Sequence, residues 1–286
     1  MPTALVLIIR PAAAGDVQPD LARAAHAAVL RLIATANADL AARLHDDDGP
    51  KPLTVSNLIG LTPRGRVAAV TPDRTYWLRL TLLTPELEAL VEGWTPEAIG
   101  VLDLDGTAWR VEALAADEAT HPWAGRASYE GLAAPALLRA AGGPTRWTLE
   151  FAAPVTFRQR GLTMPLPLPD LVFGSLLDRW NAFAPLALPE EVRRFAAECV
   201  AVSRFELRSQ APLGKGGAPQ IGAVGRCTYT AVNRDRYWLA CVETLARFAL
   251  YGGVGAGTAR GFGQVRLLEE QGRHQGQTAP FAEPPS

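Results

Sequence analysis

The sequence predicts an α+β fold made of two successive βαββαβ units, and three observations point there. Short apolar or alternating segments of strand length are separated by longer stretches with apolar residues at helical spacing. A connector rich in alanine closes on Gly142-Gly143-Pro144, a turn signal. Beyond it the order strand, helix, strand, strand, helix, strand starts again at Arg146. A chain of 286 residues is long enough for two domains that each bury a core.

The first unit spans residues 1–120. Ala4–Ile9 reads as a strand. A helix follows from about Asp20 to Leu44, with Leu21, Ala25, Val29, Ile33, Ala36, Leu40 and Leu44 on one stripe. "PLTVSNLIGL" and "TYWLRLTLL" read as extended segments, the second alternating in β-branched and aromatic residues. A helix begins after Thr84-Pro85-Glu86, and "TAWRVEALA" closes the unit as a strand. This is the split βαβ pattern of a ferredoxin-like domain.

Residues 121–144 read as a linker with a short helix, and residues 145–271 as the second ferredoxin-like domain. There "RWTLEFAAPVTFR" is a strand, and Pro165, Pro167 and Pro169 lead into a helix that Asp170 is placed to cap. A second helix follows Pro189. "AVSRFELRSQ" and "QIGAVGRCTYTAV" form a hairpin pair, and a helix from Asp235 and the strand "FGQVRLL" complete the unit. Residues 272–286, rich in Gln, Gly and Pro, are expected to be a disordered tail.

Hydrophobic content of 48% with 20% charged residues is that of an ordinary globular chain. No apolar run reaches the length of a membrane span, and "MPTALVLII" is short and followed by Arg10, so a cytoplasmic protein without a membrane partner is expected. Cys199, Cys227 and Cys241 are scattered, without metal-ligand spacing, and read as buried thiols. No metal and no cofactor is expected. The net charge of −1 conceals an asymmetry: residues 1–142 carry −5 and residues 143–286 carry +4. The second half can therefore present an anion-binding surface on a nearly neutral protein.

"YGGVGAGTARGFGQVRL" raises the question of what so much bare backbone is for. Its order is helix, loop, strand, the reverse of a dinucleotide fingerprint, and no Gly-Lys-Ser/Thr is present. Both features weigh against a cofactor loop. Two readings remain: a glycine-capped helix-to-strand connection, or a surface that a polymer phosphate approaches closely.

Several segments then become familiar. "PVTFRQRGLTMPLPLPDLVFGSLLDRWN", "GAVGRCTYTA" and "LARFALYGGVGAGTARGFGQVRL" closely resemble the CRISPR-associated endoribonucleases of the RAMP superfamily, which cut the precursor CRISPR transcript within its repeats. "LHDDDGPKPLTVSNLIG" and "SYEGL" resemble the same family, so the likeness runs from about Leu5 to Leu267. It implies two tandem ferredoxin-like domains with the glycine loop near the groove between them. It also implies metal-independent cleavage, in which a ribose 2′-OH attacks the adjacent phosphate and leaves 2′,3′-cyclic phosphate and 5′-OH ends.

By this resemblance His45, just past the first long helix, is the candidate acid or base, and Lys51 the candidate cation for the phosphoryl oxygens. A helix C-terminal histidine also suits the dipole on structural grounds alone. Some family members carry a tyrosine midway along the first helix. Leu30 stands about there in this chain, which leaves His26 as a secondary catalytic candidate. RNA contacts are assigned to the loop residues Gly253, Gly255, Gly257, Arg260, Gly261, Gly263 and Arg266. The basic residues Arg158, Arg160, Arg204, Arg208, Lys215 and Arg226 of the positive half join them as a cluster, although each singly reads better as solvated surface. Trp180 reads as core, and His121 and His274 as non-catalytic.

The implied partners are CRISPR repeat RNA and other CRISPR-associated proteins of an effector complex, with the chain a monomer or homodimer. A non-catalytic RNA-binding subunit of the same superfamily is the alternative. The His45 and Lys51 spacing favours the nuclease.

Overall fold

The computed structural model describes residues 1–46, 49–139, 142–212 and 218–269, with the side chains of His45 and Asp46 outside that description. The tail 272–286, Lys215 and His274 also lie outside the described residues.

The first half is built on strand β1 (Thr3–Pro11), followed by β2 (Gly15–Val17) and helices α1 (Ala22–Ala36) and α2 (Ala38–Asp46). The single helix expected over Asp20–Leu44 is thus broken at Asn37. That residue turns extended (φ −154°, ψ 95°), and its Oδ1 accepts the N–H of Leu40 at 2.9 Å, an N-cap for α2. An asparagine competes with its own backbone in mid-helix, and here the competition ends one helix and starts the next. Strands β3 (Leu53–Val55), β4 (Pro63–Arg64), β5 (Val67–Val70) and β6 (Tyr76–Leu82) follow. Helices α3 (Pro85–Val91) and α4 (Pro96–Ile99) lead to β7 (Val101–Leu104) and β8 (Thr107–Ala115).

The main sheet runs β3-β6-β1-β8-β7, antiparallel throughout. A small separate sheet, β2-β5-β4, was not legible in the sequence, because its strands are two to four residues long. Alternation along β1 sends Leu5, Leu7 and Ile9 into the core beneath Ala25, Val29 and Ile33 of α1. Its other face carries Val6 and Ile8, which pack with Trp77, Trp123 and Ala124.

Residues 121–144, expected as a linker, contribute elements to both halves. Strand β9 (Gly125–Arg126) pairs with β1 of the first sheet. Helix α5 (Tyr129–Leu137), capped by Ser128 Oγ accepting from the Gly131 N–H at 2.8 Å, packs in the second core. Tyr129 Oη donates back to the carbonyl of Leu83 at 2.8 Å.

The second half contains β10 (Arg146–Val155), the hairpin β11 (Phe157–Gln159) and β12 (Leu162–Met164), and helices α6 (Pro169–Phe183) and α7 (Glu191–Cys199). Then come β13 (Val200–Gln210), β14 (Gly222–Ala231), α8 (Arg236–Gly252) and β15 (Val265–Leu268). Leu168, not Asp170, holds the cap position of α6; Pro169 opens the helix and Asp170 sits in its first turn, where a carboxylate suits the dipole. Asp235 caps α8, accepting from Tyr237 and Trp238 N–H groups at 2.9 and 3.3 Å. Trp180 is fully buried core.

The second sheet runs β13-β14-β10-β15. In each half the four principal strands lie in the order second, third, first, fourth. Two tandem ferredoxin-like domains follow from that shared topology.

Candidate functional site

The glycine-rich segment fills the seam between the two sheets. Its backbone donors turn inward: Val254 N–H bonds the carbonyl of Gly263 (3.0 Å), Gly255 bonds Ser175 Oγ (2.8 Å), Ala256 bonds Thr156 (2.8 Å) and Gly263 bonds Pro154 (2.9 Å). Gly261 donates across the seam to Val55 of β3 at 2.9 Å. A Cβ at Gly255 would stand 2.3 Å from the Thr156 carbonyl oxygen, and one at Gly261 would stand 2.6 Å from the Ala22 methyl of α1. Gly253, Gly261 and Gly263 are buried. The N–H groups of Gly253, Gly255, Gly261 and Gly263 are engaged within the chain, and the bare backbone serves close approach of the two domains.

Two buried arginines hold this segment from either side. Arg179 of α6 is 8% exposed and donates through Nη2 to Thr258 Oγ1 (2.7 Å) and the Gly255 carbonyl (3.3 Å). Arg79 of β6 is 1% exposed; its Nε donates to the Trp123 carbonyl at 2.7 Å, and its Nη1 and Nη2 donate to Gln264 Oε1 and the Leu250 carbonyl. Gln264 in turn reaches Thr54 Oγ1, itself paired with Thr81 Oγ1 at 2.7 Å. Burial pulls Arg79 down to about 9 and Arg179 to about 10, so both guanidinium groups remain charged at neutral pH. Neither was singled out in the sequence. The signal for Arg79 was present: a charge inside the otherwise alternating strand "YWLRLTL" needs a buried set of acceptors.

Beside the seam lies an open groove of about 1370 Å³. One wall is the segment Ser56–Val67 with its small sheet, and the other is the end of β13 with Ala152–Pro154. Trp77, Arg79 and Trp123 line it, as do three arginines of the rim, Arg66, Arg208 and Arg260, and one acid, Asp20.

The predicted basic residues separate into groups. Arg208 and Arg260 line the groove. Arg226 and Arg266 flank Glu150 on the second sheet, at 3.3 and 2.7 Å, and Arg204 pairs with Glu206 beside them. Arg266 also lies 4.5 Å over the ring of Trp123. Arg158 and Arg160 are exposed on the β11–β12 hairpin, where Arg160 takes φ +50° in the turn. The sequence reading overlooked Arg66.

Lys51 Nζ donates to the Leu44 carbonyl at 2.8 Å, which sets the ammonium beside α2, the helix whose backbone includes position 45. His26 is half-buried on α1, one turn beyond Ala22, which touches the glycine segment; both thus share the helix face that meets it.

Two ferredoxin-like domains clasped by a buried glycine segment define a RAMP-type protein. Residues 1–134 match the model described as the CRISPR Cas6 N-terminal domain, and residues 149–265 match that of CRISPR-associated endoribonuclease Cas6. A solved Cas6 (TTHA0078) product complex is 30% identical with a TM-score of 0.72, covering 94% of this chain and 99% of that one. Thermus thermophilus Cas6 (TTHB231) is 26% identical with a TM-score of 0.72, covering 94% and 98%. The CRISPR-associated endoribonuclease Cas6 of Mycobacterium tuberculosis (strain CDC 1551 / Oshkosh) is 29% identical over 124 residues, 43% of this chain; the match spans 38% of that relative's length. The chain belongs to the Cas6 family.

Proposed function

We propose that this chain cuts precursor CRISPR RNA within its repeats and releases guide RNAs, by metal-independent internal transesterification. The observation that carries the reading is the Lys51 ammonium, held 2.8 Å from the Leu44 carbonyl that precedes His45. A proton-transfer group and a fixed cation at one corner are what in-line attack on a phosphodiester requires. In that reaction the 2′-oxygen bonds to phosphorus as the bond to the 5′-oxygen breaks. His45 exchanges a proton with the attacking or leaving oxygen, and Lys51 offsets the charge gathering on the phosphoryl oxygens. His26, on the helix face toward the glycine segment, is the reserve proton-transfer group.

RNA as the partner is supported by relatives solved as product and substrate-mimic complexes. Arg208 and Arg260 would grip its backbone in the groove, and Arg158, Arg160, Arg204, Lys215, Arg226 and Arg266 would extend the cationic surface. The glycines act by placing Arg260. Cleavage of labelled repeat RNA by the purified chain in EDTA is the direct test, with full activity expected. Activity that vanishes in EDTA and returns with a divalent ion would overturn the metal-independent route.

A further inference from the structure

Alternation along β6 sends Tyr76, Leu78 and Leu80 into the core and puts Trp77, Arg79 and Thr81 on the opposite sheet face. Arg79 and Thr81 are covered by the connector, α8 and Gln264. Trp77 is not: its indole is half-buried and lines the groove. Ile8 stands opposite it on β1, and the His121 ring meets it edge-on at 4.7 Å between centroids. The ring is thus held in place. Trp123, its neighbour, is 8% exposed, with Arg266 at 4.5 Å over its ring and Arg79 at 5.6 Å. Trp77 is the aromatic in the groove that retains surface for a ligand.

The surroundings select that ligand. A volume of about 1370 Å³ exceeds the roughly 300–1,000 Å³ of a small-molecule site. Its rim carries Arg66 and Arg208, both exposed, and Arg260, against the single acid Asp20. Planar apolar surface between cations suits a polyanion that also offers planar groups, which is a nucleic acid with unstacked bases. A duplex offers base edges rather than faces, so the occupant is single-stranded.

We infer that Trp77 is the stacking platform for one unpaired base of the bound RNA, with Arg66 and Arg208 meeting the flanking phosphates. The inference rests on the RNA-processing reading and adds to it a base-contacting position outside the cleavage corner.

The test compares Trp77→Leu, which keeps the apolar packing, with Trp77→Phe, which keeps a ring. Repeat RNA blocked by one 2′-deoxy nucleotide at the scissile position serves as the binding probe. Trp77→Leu should weaken binding by about 5- to 150-fold, the usual effect of removing one stacked aromatic. Trp77→Phe should keep most of the affinity. An abasic scan of the probe should find one position that weakens wild type but not Trp77→Leu, the mark of a direct contact. Equal loss in both variants with lowered melting temperatures would mean a packing role and overturn the proposal. So would an abasic scan of wild type without a sensitive position, which needs no variant to fold. If the wild-type chain binds and cuts no repeat RNA, the processing reading itself fails; if it cuts normally and Trp77 is silent, only the platform fails.

Discussion

Arg79, in the middle of the first sheet, donates through Nη1 to Oε1 of Gln264, 185 residues further along the chain. The same guanidinium serves the Trp123 and Leu250 carbonyls, so one side chain ties the first sheet, the connector and the end of α8 together. Removing it strands three buried acceptors, and a lysine ammonium lacks the planar fork that reaches all three. Arg79→Met should cost about 2–4 kcal/mol of stability, with Arg79→Lys little better. Urea unfolding reads this directly, and a loss below about 0.5 kcal/mol would show that the clasp is dispensable.

The glycine segment yields a graded series. Alanine at Gly263 would put its Cβ 2.1 Å from the Val254 carbonyl oxygen, which is held by the local backbone. At Gly261 the obstacle is the Ala22 methyl at 2.6 Å, and at Gly257 it is the Phe262 ring at 3.2 Å. All three have positive φ, which costs a side chain about 1–2 kcal/mol by itself. Gly263→Ala should therefore destabilise most, Gly261→Ala next and Gly257→Ala least, as thermal melting would show. A reversed order would mean that the segment does not work by close approach.

What the sequence revealed follows from how local each signal is. The strand "TAWRVEALA" and the helix from Asp235 were legible because alternation and helical spacing are properties of neighbours. The break at Asn37 was hidden because the apolar stripe continues through it to Leu40 and Leu44. The clasp of Arg79 joins residues far apart in sequence, which no periodicity reports. The glycine segment was visible as unusual backbone, but whether it faced a ligand or another domain depended on the Val55 and Pro154 carbonyls. His45 and Lys51 came through family resemblance, and the bond from Lys51 Nζ to the Leu44 carbonyl is something no periodicity reports.

Affinity for RNA should be strongly salt-dependent. Each phosphate contacted on a single strand contributes roughly 0.7 to the slope of log affinity against log salt. Arg208→Ala and Arg260→Ala, both in the groove, should each lower that slope by about 0.7. Arg204→Ala should change it less, because Arg204 is already paired with Glu206. A titration in which Arg204 matters and the groove arginines do not would move the RNA path to the open face of the second sheet.

The three catalytic candidates should separate by rate. His45→Ala is expected to slow cleavage about 10²–10⁴-fold with affinity largely kept, the range for a positioned acid or base. Lys51→Ala should slow it less, since other cations partly cover the phosphate. Single-turnover kinetics with His26→Ala alongside decide the assignment: a dead His26 variant beside an active His45 variant would transfer the role to His26.

The last prediction concerns the nucleophile. In internal transesterification the attacking oxygen belongs to the substrate, so the protein has no water to activate, only a proton to remove and charge to offset. Hydrolysis by metal-activated water would tolerate loss of that hydroxyl, because the water supplies the oxygen that joins phosphorus. A single 2′-deoxy nucleotide immediately 5′ of the scissile phosphate should therefore block cutting completely. Binding should stay nearly intact, since one hydroxyl among many backbone contacts carries little of the affinity. The upstream product of normal RNA should end in a 2′,3′-cyclic phosphate and the downstream product in a 5′-OH, both readable by mass spectrometry. Cleavage of the deoxy-substituted repeat at the normal rate would refute the mechanism while leaving the family assignment untouched.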